Sequence, residues 1–344
     1  MTTAVAISGG VDSLFSLKLL QEQGDELIAL HAFFQDPDAE MYRVSDELSK
    51  KCEHLDVPYH LLDLTKEFRE LVIDPFVDTY IQGQTPNPCA LCNRRIKFGI
   101  LLEAAMGLGA DILATGHYAS LKCISGRKAL FRGADKDKEQ SYFLALLTAS
   151  QLEHACFPLA DWRKVDSYKA LQDRSFFPVD KQESQEVCFI PDNDYRTFIL
   201  DNVETPPPPG PIKDTQGKLL GTHQGLYKYT MGQRRGLGIS YSEPLYVLGK
   251  DLQNNTLVVG TSQECVSESC RVGDLNILVE YSQWPDFVYV QTRYRQEATA
   301  AEVYWHGHEM EVFFREPRKP ATPGQIAAFY SGHGEVLAAG IIYE

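Results

Sequence analysis

The residues with the clearest chemical potential lie in two short strings. Ser8-Gly9-Gly10-Val11-Asp12-Ser13 follows an apolar run, Ala4 to Ile7, and precedes a segment with helical periodicity. Glycines let the backbone approach a ligand closely, and a helix start behind them offers unpaired N–H groups and a favourable dipole. Ser8 and Ser13 add hydroxyl groups, so the string reads as a phosphate cradle, although a serine-capped turn would also use Ser-Gly-Gly. No Gly-x-x-x-x-Gly-Lys-Ser/Thr follows the first strand, which disfavours a loop that transfers a γ-phosphate. The second string is Thr85-Pro86-Asn87-Pro88-Cys89-Ala90-Leu91-Cys92-Asn93. Its two prolines stiffen the approach, and Cys92 stands where the next helix should begin. A helix N-terminus stabilises thiolate, and Arg94, Arg95 and Lys97 add positive potential. Cys188, in Ser184-Gln185-Glu186-Val187-Cys188-Phe189-Ile190, is a third thiol at a polar-to-apolar transition.

The elements that must position these groups are legible as pattern. Val11 to Gln23 places Val11, Phe15, Leu19 and Leu20 on one helix face. Leu27 to Phe34, Tyr59 to Leu64 and Ile112 to Thr115 are strand-like, whereas Met41, Val44, Leu48 and Cys52, and then Ile96 to Met106, have helical spacing. Strands alternating with helices predict an α/β domain with a parallel sheet and helices on both faces. The texture changes after residue 200. Pro206 to Pro211 reads as a stiff connector that continues neither helix nor central strand. Tyr246 to Gly249 and Thr256 to Val259 predict a hairpin across a polar turn, and Phe287 to Thr292 and Ala300 to Trp305 predict strands of a small β-domain.

Composition narrows the class. A chain of 344 residues is long enough for two or three domains without metal or disulfide staples. Hydrophobic content of 44% with 23% charged residues excludes general disorder. No stretch approaches a membrane-spanning length, and Met1-Thr2-Thr3 has no basic leader, so a cytoplasmic protein with reduced cysteines is expected. Cys52, Cys123, Cys156, Cys265 and Cys270 then read as small packed side chains. Cys89 and Cys92 lack the second close pair that a zinc ribbon needs. A net charge of −14 argues against charge-driven nucleic-acid binding, while leaving room for a specific nucleic acid on a local basic patch.

The first string matches the PP-loop of ATP pyrophosphatases, which implies cleavage between the α- and β-phosphates and AMP attached to an acceptor. Asp12 then suits Mg²⁺ beside the phosphates. Beyond it come Thr85 to Asn93 with Ile96-Lys97-Phe98, Ala114-Thr115-Gly116-His117-Tyr118, Lys138-Glu139-Gln140-Ser141-Tyr142-Phe143, Ser184 to Ile190, Gly232 to Gly238, Arg293-Tyr294-Arg295 and Pro323-Gly324-Gln325. In that order the series resembles the tRNA-specific 2-thiouridylases over nearly the whole chain. The resemblance implies a PP-loop, adenine-nucleotide-hydrolase-like α/β domain over residues 1–203. A small central domain over 204–267 and a C-terminal β-barrel over 268–344 would follow it. It also implies ATP-dependent thiolation of the wobble uridine of tRNA at C2, with sulfur delivered by a carrier protein or cysteine desulfurase.

Carried over by position, Ala6, Ile7, Ser8, Gly9, Gly10, Val11, Asp12, Ser13, Ala32 and Gly116 fall on ATP contacts. Cys92 falls on the nucleophile and Cys188 on the persulfide-bearing cysteine. Asn87, Pro88 and Cys89 fall around the target base. His117, Lys138, Glu139, Gln140, Arg293, Tyr294 and Gln325 fall on tRNA contacts. Cys89 departs from the family, where many members carry an aspartate with an acid/base role. Two sulfur routes therefore stay open: a relay through a Cys92–Cys188 disulfide, or a 4Fe–4S cluster on Cys89, Cys92 and Cys188 with one iron left for sulfide. Cys89, three positions before Cys92, tips the expectation toward the cluster. The rivals are another PP-loop ligase, amidating or lysidine-forming, which needs no thiols, and a tRNA-binding protein without catalysis, which leaves the loop without a purpose.

Overall fold

A computed structural model describes residues 1–179 and 187–344. The first sheet has the order β3-β2-β1-β4-β7, with every neighbouring pair parallel. Its strands are β1 (Thr2–Ala6), β2 (Glu26–Phe33), β3 (Tyr59–Asp63), β4 (Ile112–Ala114) and β7 (Ala155–Cys156). Ala4 and Val5 on β1 are fully buried, because a parallel strand covered on both faces needs an apolar run rather than alternation. Helix α1 (Val11–Gln23) has the expected bounds and buries Leu14, Phe15, Leu17 and Leu20.

The chain visits β2 and β3 on one side of β1 before crossing to β4 and β7 on the other. The carboxyl ends of β1 and β4 therefore flank the crevice where such sheets seat ligands. Ser8 to Ser13 leaves from one lip, and Thr115-Gly116-His117 leaves from the other.

The helix expected from Ile96 begins earlier. Asn87 caps it by accepting a hydrogen bond from the Ala90 N–H at 3.1 Å, with Pro88 in the first turn. Pro88–Cys92 then runs through a wide π-type stretch, Asn93–Leu101, into Leu102–Gly107. Cys89 lies in the first turn and Cys92 in the second, so the expected start at Cys92 is corrected by one turn. A hairpin of β5 (Ala119–Ile124) and β6 (Arg127–Arg132) interrupts the alternation before β7 and went unread in the sequence.

The central sheet has the order β10-β11-β8-β9, built from β8 (Gly210–Lys213), β9 (Leu219–His223), β10 (Tyr246–Asp251) and β11 (Thr256–Gly260). Its β10–β11 hairpin is the one expected. The connector reading of the proline run is too long: Pro211 already belongs to β8. The ladder from β8 to β11 begins at Ile212, beyond the proline that cannot donate to it.

Six strands close the C-terminal barrel in the order β12-β15-β14-β13-β16-β17. They are β12 (Ser267–Ile277), β13 (Val288–Gln291), β14 (Thr299–Trp305), β15 (Met310–Arg318), β16 (Ile326–Tyr330) and β17 (Val336–Ile342). One hydrophobic cluster joins Leu113, Leu130, Tyr142 and Leu144 to Ile326, Tyr330 and Ala339, so the barrel shares a core with the first domain. Polar ties reinforce the seam. Asn276 donates to the Ala145 and Leu147 carbonyls at 2.9 and 2.8 Å, and Tyr142 donates to Ile326 at 3.0 Å. Among the described residues, no helix is long and apolar enough to cross a membrane.

Candidate active site

At the first lip, Ser13 holds the loop shut. Its Oγ accepts from the Ser8 N–H at 3.1 Å and donates to the Gly10 carbonyl at 3.0 Å. Gly9 takes φ +87°, a left-handed conformation that favours glycine, whereas Gly10 is extended at φ −76°. A Cβ on Gly10 would meet only Ser8 Oγ, at 3.6 Å, so the fold itself tolerates a side chain there. Gly116 is different: its Cβ would lie 2.7 Å from the Asp12 carbonyl carbon. The two lips touch at this point. Ala6, Ile7 and Ala32 lie along the edge, where the Ile7 N–H donates to Leu30 at 2.8 Å and the His31 ring meets the Ile7 carbonyl at 2.8 Å.

Asp12 is held by two groups to which the sequence assigns no role at the loop. The Tyr118 hydroxyl donates to Oδ1 at 2.7 Å, and Lys164 Nζ donates to Oδ2 at 2.5 Å. Tyr118 closes the Ala114-to-Tyr118 string. Lys164 lies 152 residues from Asp12 with no motif around it, so no sequence signal marks it. Asp12 is a lone carboxylate on a phosphate loop, a donor suited to Mg²⁺ shared with ligand phosphates. Its oxygens retain lone pairs beyond these two hydrogen bonds.

The fold brings the three chemical thiols together. Cys89, Cys92 and Cys188 interact electrostatically, and Lys97 acts on all three. Cys92 is buried and Cys89 half-buried, while Cys188 is exposed. Phe189 anchors Cys188 by packing into Phe68, Phe76 and Phe198, with ring centroids 5.2–5.7 Å apart. The Val179 N–H donates to the Gly9 carbonyl at 3.0 Å, tying Val179 to the phosphate loop. Ser184, Gln185 and Glu186 of the third motif lie outside the described residues.

The expectation of a stabilised thiolate is overturned. Burial pushes the Cys89 thiol up to about 11 and Cys92 up to about 12, with Lys97 opposing only in part. Cys188 is raised as well, because it is crowded by protein atoms despite its accessible surface. Helix start and basic neighbours lose to desolvation. The resting thiols are therefore protonated at neutral pH. Alkylation of Cys92 in the ligand-free protein should rise roughly tenfold per pH unit from about 7 to 9.5, following the thiolate fraction. A plateau near pH 8 by mass-spectrometric labelling would contradict this.

Most expected tRNA contacts are engaged internally. His117 is buried against Thr115 Oγ1 at 2.8 Å, and Glu139 is buried with its carboxylate on Arg132 at 2.9 Å and on the Ser141 N–H. Both side chains are engaged within the protein in this structure. Gln140 accepts from the Tyr118 N–H at 3.0 Å. Arg293 donates to Met231 at 2.7 Å and to Thr322, and Tyr294 packs 4.3 Å from Phe143. Gln325 donates to the carbonyls of Thr85 and Pro86 at 3.0 and 2.8 Å. Lys138, Arg234, Arg235 and Arg295 present exposed positive charge. Among the described residues, no three His, Cys, Asp or Glu side chains converge on one metal-ion position.

Residues 1–192 match the family model described as tRNA methyl transferase HUP domain, and 196–261 match the tRNA methyl transferase PRC-barrel domain. Residues 267–342 match the aminomethyltransferase beta-barrel domain. The tRNA-specific 2-thiouridylase MnmA of Nitratidesulfovibrio vulgaris (strain Miyazaki F) is 47% identical over 347 residues, covering 99% of each chain. The chain belongs to the MnmA family. Its members from Oleidesulfovibrio alaskensis and Geobacter metallireducens are 46% and 40% identical, covering 99% and 98% of this chain and 99% and 95% of theirs. The α/β domain, the central domain and the six-stranded barrel are thus the MnmA domain series.

Proposed function

We propose that this MnmA-family protein thiolates a tRNA uridine at C2, using ATP to activate the C2 oxygen. The observation that carries the reading is a closed phosphate loop on the same parallel-sheet domain as a capped helix whose Cys89 and Cys92 interact electrostatically with Cys188.

A uridine carbonyl oxygen is a poor leaving group, and joining it to AMP corrects that. The C2 oxygen attacks the α-phosphorus of ATP, pyrophosphate departs, and C2 becomes electrophilic. Backbone N–H groups at the start of α1 face the phosphates, Asp12 would hold Mg²⁺ there, and the ion would offset phosphate charge. Lys164 adds an ammonium beside Asp12.

Cys188, exposed, receives sulfur from a persulfide donor, while Cys92, buried, is kept from it. The terminal sulfur of the Cys188 persulfide attacks C2 and AMP leaves. The Cys92 thiolate then attacks Cys188 Sγ, the S–S bond to the transferred sulfur breaks, and 2-thiouridine departs with those electrons. A Cys92–Cys188 disulfide remains, and an external dithiol reduces it. Lys97 favours the thiolate that this step needs. A second reading keeps Cys89: three soft donors, with Cys92 buried, Cys89 half-buried and Cys188 exposed, would hold a 4Fe–4S cluster, larger than a single ion, which would supply a binding site for sulfide.

The tRNA would lie over exposed basic residues that include Arg234 and Arg235. Arg234→Ala and Arg235→Ala should each make the salt dependence of tRNA binding shallower by about one unit of log–log slope. Equal slopes in the parent and both variants would remove the Gly232 to Gly238 loop from the interface. The activity itself is tested by incubating unmodified tRNA, ATP and a persulfide donor with the protein. Nucleoside mass spectrometry should find 2-thiouridine, and its absence ends the reading.

A further inference from the structure

Residues 83–86 lead directly into the capped helix that carries Cys89 and Cys92, and both later domains grip them. From the central sheet, Lys250 Nζ on β10 donates to the Gly83 carbonyl at 2.7 Å. Leu252 packs so closely that a Cβ on Gly83 would lie 2.6 Å from its Cδ2. The Thr85 hydroxyl lies 3.4 Å from that of Thr230. From the barrel, the Pro323 carbonyl accepts the Thr85 N–H at 2.8 Å, while Gln325 donates to both Thr85 and Pro86. Gly324, at φ +88°, sits where a Cβ would strike the Thr85 carbonyl oxygen at 2.8 Å.

We infer that Lys250 is a positioning residue: with Gln325 opposite, it holds residues 83–86 as a strap that keeps Cys92 seated and sheltered. Its chemistry argues against simple packing. Burial lowers its pKa to about 8, and among the described residues no carboxylate offsets that cost. A methionine would fill the same space without desolvating an ammonium. What methionine cannot do is donate to the Gly83 carbonyl. The strap ends at Asn87, whose side chain caps the helix, so freedom at Gly83 is passed to the turn holding Cys89 and then Cys92.

The test uses the full chain without ATP or RNA. In Lys250→Met, iodoacetamide should modify Cys92 about fivefold faster than in the parent, the factor by which one lost hydrogen bond shifts a local opening equilibrium. Lys250→Arg, which keeps a donor, should return the rate to near the parent value, and Cys123, remote from the strap, should react at the same rate in all three. Gln325→Met releases the opposite grip and should accelerate Cys92 in the same way, which keeps the test usable if Lys250→Met does not fold. A Cys92 rate within twofold of the parent in the folded variants overturns the proposal. Only a further activity arm, a fall in kcat for thiolation with KM for tRNA unchanged, rests on the proposed function. A parent protein that makes no 2-thiouridine would defeat that function while the labelling result stands.

Discussion

Replacing Cys92 or Cys188 by serine should abolish 2-thiouridine formation, by at least about a thousandfold, since each thiol makes a covalent step that the other cannot perform. AMP formation need not vanish with it, because the phosphate loop and Lys164 are untouched, so the two products should separate in these variants. Cys89→Ser sorts the sulfur routes. In the relay, Cys92 and Cys188 still exchange sulfur and activity persists within about tenfold. As a ligand of an iron–sulfur cluster, Cys89 would be nearly as sensitive as the other two, with iron lost from anaerobically purified protein. Thiolation surviving in both Cys92→Ser and Cys188→Ser would remove the thiols from the reaction.

The second large effect separates binding from folding at two glycines. Gly10→Ala should leave the melting temperature unchanged or raise it slightly. Its φ suits alanine, the nearest atom to the new Cβ is 3.6 Å away, and the unfolded chain loses freedom. AMP formation should nevertheless fall about a hundredfold, because a methyl group enters the space between backbone and phosphate. Gly116→Ala should do both kinds of harm. Its Cβ meets the Asp12 backbone at 2.7 Å, so the lips must part, at a cost of about 1–3 kcal/mol. Calorimetry paired with AMP assays reads both variants. A Gly10→Ala protein with parental turnover would show that phosphate does not approach this backbone.

Sequence is most legible where the chemistry is local. The bounds of α1 and the alternation of β1 to β4 are written in apolar spacing, and the loop between them in its glycines. The β10–β11 hairpin announced itself through its polar turn. Pro211 misled because prolines disfavour a central strand in general, and this one pairs with Thr222 of β9 one residue before the ladder to β11 begins. The thiol environment misled for another reason. Basic neighbours are visible in sequence, but the desolvation that outweighs them is created by packing. Lys164 and Lys250 were unreadable for the same cause: each finds its partner more than a hundred residues away. Motif matching likewise marked Arg293 and Gln325 without showing that the folded chain turns them inward onto its own backbone.

The central claim is that ATP activates the C2 oxygen of the uridine, and that oxygen can be followed. Transfer RNA carrying ¹⁸O at C2 of the target uridine, incubated with the protein, ATP and a persulfide donor, should yield one ¹⁸O in the phosphoryl group of AMP for each 2-thiouridine formed. AMP without label, or the ¹⁸O found in water or pyrophosphate while 2-thiouridine accumulates, would contradict the account.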